Sequence, residues 1–190
     1  MSDLTILCQN IDKSKKVQDR RLGLLYTCIG SGNAKKAVNR MDYSEETRIH
    51  LLDAIRDMPR LYFCVAKKPL KKFIYERSWD RFDYLLNLEK AQRIVFDYDT
   101  TLKIQGKMYF VDEIKNNYEP VFPEDLVIDR DDLIEAGYAT DKTADKMLRM
   151  LVEETHERPE KNTRKDLLAL AKKYKRNKFA AFFRGVTLTR

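Results

Sequence analysis

The chain has 190 residues, 43% hydrophobic and 35% charged, which is enough to bury a core and too apolar for an unfolded polymer. Its formal charge is +7, but residues 161–190 carry ten Lys/Arg and one acid, or +9, leaving −2 for residues 1–160. No apolar run reaches the roughly 18 residues of a spanning helix, and residues 1–5 lack the basic-then-apolar layout of a signal peptide, so a cytoplasmic protein with no membrane partner is expected.

Residues 1–16 read as a short helix and a loop. Residues 17–29 follow as a helix, with Val17, Leu22, Leu24, Leu25, Cys28 and Ile29 at helical spacing. Gly30-Ser31-Gly32-Asn33 should turn the chain into a second short helix over residues 34–41. Ser44, followed by Glu45, Glu46 and Thr47, announces a third helix with Ile49, Leu52, Ile55 and Met58 facing the core. Pro59 and Pro69 bracket residues 61–65, an apolar run read as a helical turn or loop. Residues 70–76 make another helix. Residues 79–95 form the central one, through Trp79, Phe82, Leu85, Leu86, Ala91, Ile94 and Val95. Residues 101–118 are helical through Leu102, Met108, Val111 and Ile114, until Pro120-Val121-Phe122-Pro123 ends the segment.

Three further helices are expected near residues 131–136, 141–156 and 163–183. Gly137 should end the first and Thr140 should cap the second, whose core positions are Ala144, Met147, Leu148, Leu151 and Val152. The last turns Leu167, Leu168, Leu170 and Ala171 inward. Nowhere do strands alternate with helices, so the fold class is all-α: a multi-helix body over residues 1–119 and a smaller helical tail subdomain over 120–190.

Catalytic chemistry is hard to place on this chain. Cys8, Cys28 and Cys64 are an odd number without a C-x-x-C pair, and His50 and His156 belong to no ligand pattern, so no disulfide framework, metal or cofactor is expected. Asp97-Tyr98-Asp99 reads as a solvated helix end, and Asp129 to Asp132 as carboxylates compensating a helix N-terminus. Gly30-Ser31-Gly32 lacks the preceding strand and the spacing of a phosphate loop.

The recruiting features are cationic. Lys172, Lys173, Lys175, Arg176, Lys178 and Arg184 alternate with Tyr174, Phe179, Phe182 and Phe183, a mixture able to hold a phosphate chain and stack on bases. The structural alternative is that the aromatics only dock the last helix. Lys67, Lys68, Lys71, Lys72, Arg77 and Arg81 form a second basic cluster around Phe73 to Tyr75.

Several stretches resemble the body and tail of CCA-adding tRNA nucleotidyltransferases and their poly(A) polymerase relatives, over about residues 20–175. Tyr43-Ser44-Glu45-Glu46-Thr47-Arg48 is similar to Leu-Ser-Asn-Glu-Glu-Arg of that family, and Leu70-Lys71-Lys72-Phe73-Ile74 with Leu85-Leu86-Asn87-Leu88-Glu89-Lys90-Ala91 to its Arg-Arg-Phe-Ile and Leu-Leu-x-Leu-x-x-Ala. In the tail, residues 123–137 resemble Leu-x-Ile-x-Gly-x-Asp-Leu-Ile-x-x-Gly, and Asn162-Thr163-Arg164-Lys165-Asp166-Leu167-Leu168 resembles Asn-Thr-Arg-Glu-x-Leu-Leu. Thr27-Cys28 stands where some members carry His-Asp, so metal-dependent phosphohydrolysis is not expected. Arg130 replaces a glycine, and residues 140–146 lack the Gly-Pro-x-x-Gly turn. The catalytic head and the neck would lie before Arg20.

The resemblance implies a tRNA-binding body-and-tail portion, or a stand-alone relative, with no catalysis of its own. Its partners would be tRNA or another structured RNA, and a separate catalytic head domain or chain. The expected RNA contacts are Lys172, Lys173, Lys175, Arg176 and Lys178, then Lys71, Lys72 and Arg77. The rival reading is a helical protein-interaction or scaffold module that has lost RNA binding.

Overall fold

A computed structural model describes the backbone of residues 23–25, 31–96 and 101–186 and, Ser31 apart, their side chains as far as Arg176. Among the described residues every regular element is helical, so the chain is all-α as its sequence suggests. It divides into two compact units, Met1–Val111 and Asp112–Arg190. Most of the helix read over residues 17–29, and the Asp97-Tyr98-Asp99 pair, lie outside the described residues.

In the first unit, α1 (Ser31–Arg40) packs on α2 (Glu45–Tyr62) through Ala34, Val38, Leu51 and Ile55. Gly32 and Asn33, expected in a turn, are already inside α1. The start of α2 is as read: Thr47 N–H donates to Ser44 Oγ at 3.2 Å, with Glu45 and Glu46 in the first turn, where the helix dipole favours them. Its buried stripe is Leu51, Ala54, Ile55, Met58 and Leu61, rotated from the one expected, because Ile49 is half exposed and Leu52 only partly buried. The helix also runs past Pro59 to Tyr62. So close to the C-terminus, the missing proline N–H removes a single ladder bond, and burial of Met58 and Leu61 on either side offsets it.

Helix α3 (Lys67–Arg77) has Pro69 in its first turn, where a helix needs no N–H donor. Helix α4 (Trp79–Phe96) is the central element. It buries Phe82, Leu85, Leu86, Leu88, Ala91, Val95 and Phe96, whereas Ile94, expected inside, faces solvent. Gly23 lies so close to α4 that a Cβ there would meet both Leu88 methyls at 3.1 Å.

Helix α5 (Thr101–Asn116) turns Ile104, Val111 and Ile114 inward and leaves Leu102 and Met108 exposed, again a rotation from the expected face. The unexpected member of its inner face is Lys107, which is 1% exposed and meets the equally buried Glu89 of α4 at 2.9 Å. Tyr62 OH donates to Gln92 one turn further along α4.

The second unit is held by caps legible in the sequence. A 3-10 turn (Pro123–Asp125) leads to α6 (Arg130–Glu135), α7 (Asp141–Thr155), a second 3-10 turn (Pro159–Lys161) and α8 (Arg164–Val186). Asp129 and Asp132 cap α6 reciprocally, each carboxylate accepting the other's N–H at 3.0 and 3.1 Å. Gly137, at φ +68°, ends it in the left-handed conformation that glycine adopts without strain. Thr140 N–H donates to Thr143 Oγ1 at 2.9 Å at the start of α7, and Ala144, Met147, Leu148, Leu151 and Val152 are all buried, as read. In α8, Leu167 and Ala171 are buried, while Leu168 and Leu170 are only partly so.

Asn162 explains part of the motif that contains it. Its side chain accepts from Val127 N–H at 3.1 Å and donates to the Asp125 carbonyl at 3.0 Å, so one amide clamps the segment before α6. Thr163 next to it caps α8 by accepting from Asp166 N–H at 3.2 Å. Buried His156 donates from Nε2 to the Val121 carbonyl at 2.9 Å.

The Lys107–Glu89 pair makes a stability prediction. Lys107→Met leaves a carboxylate buried without its cation and should cost about 3–5 kcal/mol, whereas Lys107→Met with Glu89→Leu should recover most of that loss. Urea unfolding of the two variants measures it; equal losses would show that the pair is not coupled.

Candidate nucleic-acid interface

Helix α8 separates its two faces by residue type. Leu167 and Ala171 are buried and Tyr174 is half-buried, while Lys165, Lys172, Lys173 and Arg176 are exposed. At 100° per residue these four cations fall within about a 100° arc opposite the buried side, so they form one stripe rather than a scattered excess. Among the described residues no carboxylate pairs with Lys172, Lys173 or Arg176. Arg164 at the start of the helix is different, being paired with Asp132. A backbone N–H from Asp129 and the Arg164 guanidinium hold the Asp132 carboxyl below the usual carboxylate range.

Lys175 lies off the stripe, and its Nζ donates to the Gly137 carbonyl, tying α8 to the end of α6. The Lys178 side chain lies beyond those described. Tyr174 takes the docking role: its OH donates to Glu154 Oε2 at 3.3 Å, and burial together with that carboxylate pushes the phenol up from its ordinary value. Arg130, which interrupts the family-like pattern, donates to Asp145 Oδ2 at 3.3 Å and to the Asp141 carbonyl at 3.1 Å. Its observed work is to join α6 to α7.

The second basic cluster does not form a shared outer surface. Lys71 is wholly buried, which corrects its placement among phosphate-contacting residues: it follows Leu70 and precedes Phe73 and Ile74 on the inner side of α3, so its ammonium is shut away from solvent. Lys72 is exposed. Arg77 is drawn inward, its Nε 3.1 Å from Asp57 Oδ2, and Arg81 is 10% exposed.

Asp57 is the centre that residue patterns did not disclose. It is wholly buried on α2 and accepts from Arg56 Nε at 2.9 Å and Nη2 at 2.8 Å, with Arg77 close by and Arg60 Nη1 at 3.8 Å. Burial by itself would raise its pKa. The Arg56 hydrogen bonds and the charges of Arg56, Arg77 and Arg81 outweigh that and hold the carboxyl below its ordinary value. Arg81 donates from Nη2 to the His50 carbonyl at 2.9 Å and contacts His50 Nδ1 from Nη1 at 3.1 Å, with its guanidinium 5.0 Å from the Tyr84 ring centroid. Arg56, Arg77, Arg81, His50 and Tyr84 border a cleft of about 390 Å³ reaching from α2 to the α3–α4 junction. At that junction Ser78 holds φ +82°, a conformation that costs a non-glycine residue about 1 kcal/mol or more.

The sequence signals for this cleft were Arg77 and Arg81 of the second basic cluster and the Arg and Asp residues of α2. Asp53, Arg56 and Arg60 follow one another at three and four residues and Asp57 adjoins Arg56, but nothing in that spacing says that Asp57 is inside and Arg56 outside. No protein-family model, curated protein or solved structure matches this chain. Among the described residues no group of His, Cys, Asp and Glu is arranged to hold a metal ion, and no helix is long and apolar enough to cross a membrane.

The depressed pKa of Asp57 fixes a pH dependence. Its contribution to stability is fully present above the pKa it has when unfolded, about 3.9, and is lost as pH falls through the lower folded value. Asp57→Asn should therefore be less stable than the parent at pH 7, with the gap narrowing as pH drops below about 4. Unfolding midpoints in urea across that range test the sign; a gap that widens on acidification would contradict it.

Proposed function

We propose that this chain holds structured RNA, with tRNA the favoured ligand, and that the cationic stripe of α8 is its phosphate-gripping surface. The observation that carries the reading is the stripe itself: Lys165, Lys172, Lys173 and Arg176 on one exposed helix face in the most basic part of the chain. Ammonium and guanidinium groups on a convex helix displace the counterions of a phosphate backbone and give affinity without reading sequence. An irregularly folded RNA presents phosphates and 2′-hydroxyls over a broad shape, which suits recognition by a rigid helical surface.

Two further considerations support it. The motif stretches similar to the body and tail of CCA-adding tRNA nucleotidyltransferases occur here in an all-α chain, as that resemblance implies. The Asn162-Thr163-Arg164 stretch, one of those motifs, sets the start of α8 and so orients the stripe. In this reading any nucleotide-transfer chemistry belongs to a separate head domain or chain, and the present chain supplies grip. Lys72 is a secondary contact. Lys71 and Arg77, engaged inside the first unit, are not part of it.

The test is fluorescence anisotropy with tRNA lacking its terminal CCA across a salt series, comparing the parent with Lys172→Glu/Lys173→Glu/Arg176→Glu. Binding should weaken steeply with salt, and the variant should lower the slope of log K against log[salt] by about 1 for each phosphate contact removed. Lys175 is left in place because it supports the fold. Absence of binding by the parent at low salt would overturn the proposal and favour a protein-interaction module.

A further inference from the structure

The cleft beside Asp57 carries chemistry that phosphate gripping by α8 does not use. Its wall holds three guanidiniums, Arg56, Arg77 and Arg81, and three carboxylates, Asp53, Glu76 and Asp80, with buried Asp57 behind them. The wall charges cancel and Asp57 behind them adds a further carboxylate, so a phosphate gains nothing by entering. A group with donors and acceptors on one planar edge gains most. The volume, about 390 Å³, is at the small end of the roughly 300–1,000 Å³ typical of ligand pockets, room for one ring system with its sugar.

We propose that this cleft binds a single unstacked nucleobase, guanine above the others. Arg56 spends Nε and Nη2 on Asp57 and Asp53, and its Nη1 has no acceptor among the described residues. Asp53 Oδ1 lies 2.7 Å from Arg56 Nη2 and its Oδ2 3.7 Å from Arg81 Nη2, which holds the carboxylate, with lone pairs to spare, next to the unspent Arg56 Nη1. Guanine offers the complement, with O6 facing the guanidinium and N1–H facing the carboxylate. Its N2–H₂ gives the carboxylate a second donor. Uracil matches the first pair of groups but places a carbonyl where guanine has N2–H₂, against Asp53. Adenine and cytosine lack the two adjacent donors.

The remaining walls suit a flat π system. Tyr84 and Arg81 lie face against cation at 5.0 Å, and the His50 ring meets Tyr84 edge-on at 5.5 Å, a platform of the kind on which bases stack. Because Arg81 can only donate, His50 Nδ1 is the acceptor in their 3.1 Å contact. The strained Ser78 sits at the edge of the same cleft. This site is in a different unit from α8, and its occupancy does not depend on whether the stripe holds RNA.

The experiment is NMR titration of the isotopically labelled full chain with GMP, AMP, CMP and UMP separately, and with inorganic phosphate, following the His50 and Tyr84 rings and the Arg56 side chain. Saturable shifts with GMP are expected, about tenfold tighter than with AMP or UMP, and none with phosphate alone. Asp53→Asn should abolish the preference for GMP while leaving distant amide signals in place. If that variant does not fold, Arg56→Lys, which removes the planar donor, serves instead. Equal response to all four nucleotides, a response to phosphate alone, or no shift with any of them would overturn the proposal. Since α8 is not involved, such a failure leaves the tRNA measurement unaffected.

Discussion

A carboxylate taken out of water costs several kcal/mol unless cations and donors meet it, and Asp57 has no solvent exposure at all. Its needs organise one end of the first unit. Arg56 and Arg60 come from the same helix, Arg77 reaches in from the end of α3, and Arg81, one turn into α4, adds its charge. Three helices thereby meet around one group, and Ser78, between Arg77 and the start of α4, holds a strained backbone at the α3–α4 junction.

A second buried pair, Lys107 with Glu89, does for α5 what Asp57 does for the opposite end of α4. Both devices place charge where hydrophobic patterning predicts an apolar side chain. Such pairs are poor sources of net stability compared with hydrocarbon, but removing one partner is costly, so they penalise any helix packing that separates them. The second unit uses a different economy: reciprocal caps at Asp129–Asp132 and Thr140–Thr143 and the Asn162 clamp are short-range and mostly exposed.

That contrast bears on function. In the first unit the arginines are engaged with carboxylates, which leaves a balanced cleft suited to a ligand with both donors and acceptors. In the second unit Lys172, Lys173 and Arg176 of α8 pair with no acid among the described residues, which leaves a cationic stripe. One chain thus presents two surfaces of different chemistry, one cationic and one with donors and acceptors side by side.

Much of the second unit was legible in residues alone, because capping and glycine termination act over three or four positions. Asp129, Gly137 and Thr140 fell where their side-chain chemistry put them, as did Ser44 in the first unit, and the apolar stripe of α7 had one consistent solution. The cationic character of α8 was likewise a matter of composition. The inner faces of α2, α4 and α5 were misjudged at Ile49, Ile94, Leu102 and Met108, since a helix rich in apolar residues has more than one plausible buried face. The fate of each charge was also beyond the sequence. Lys71 and Lys72 are adjacent and chemically identical, yet one is buried and the other exposed. Only the packing of neighbouring helices decides which side of α3 turns inward, and with it which cations stay free for a ligand.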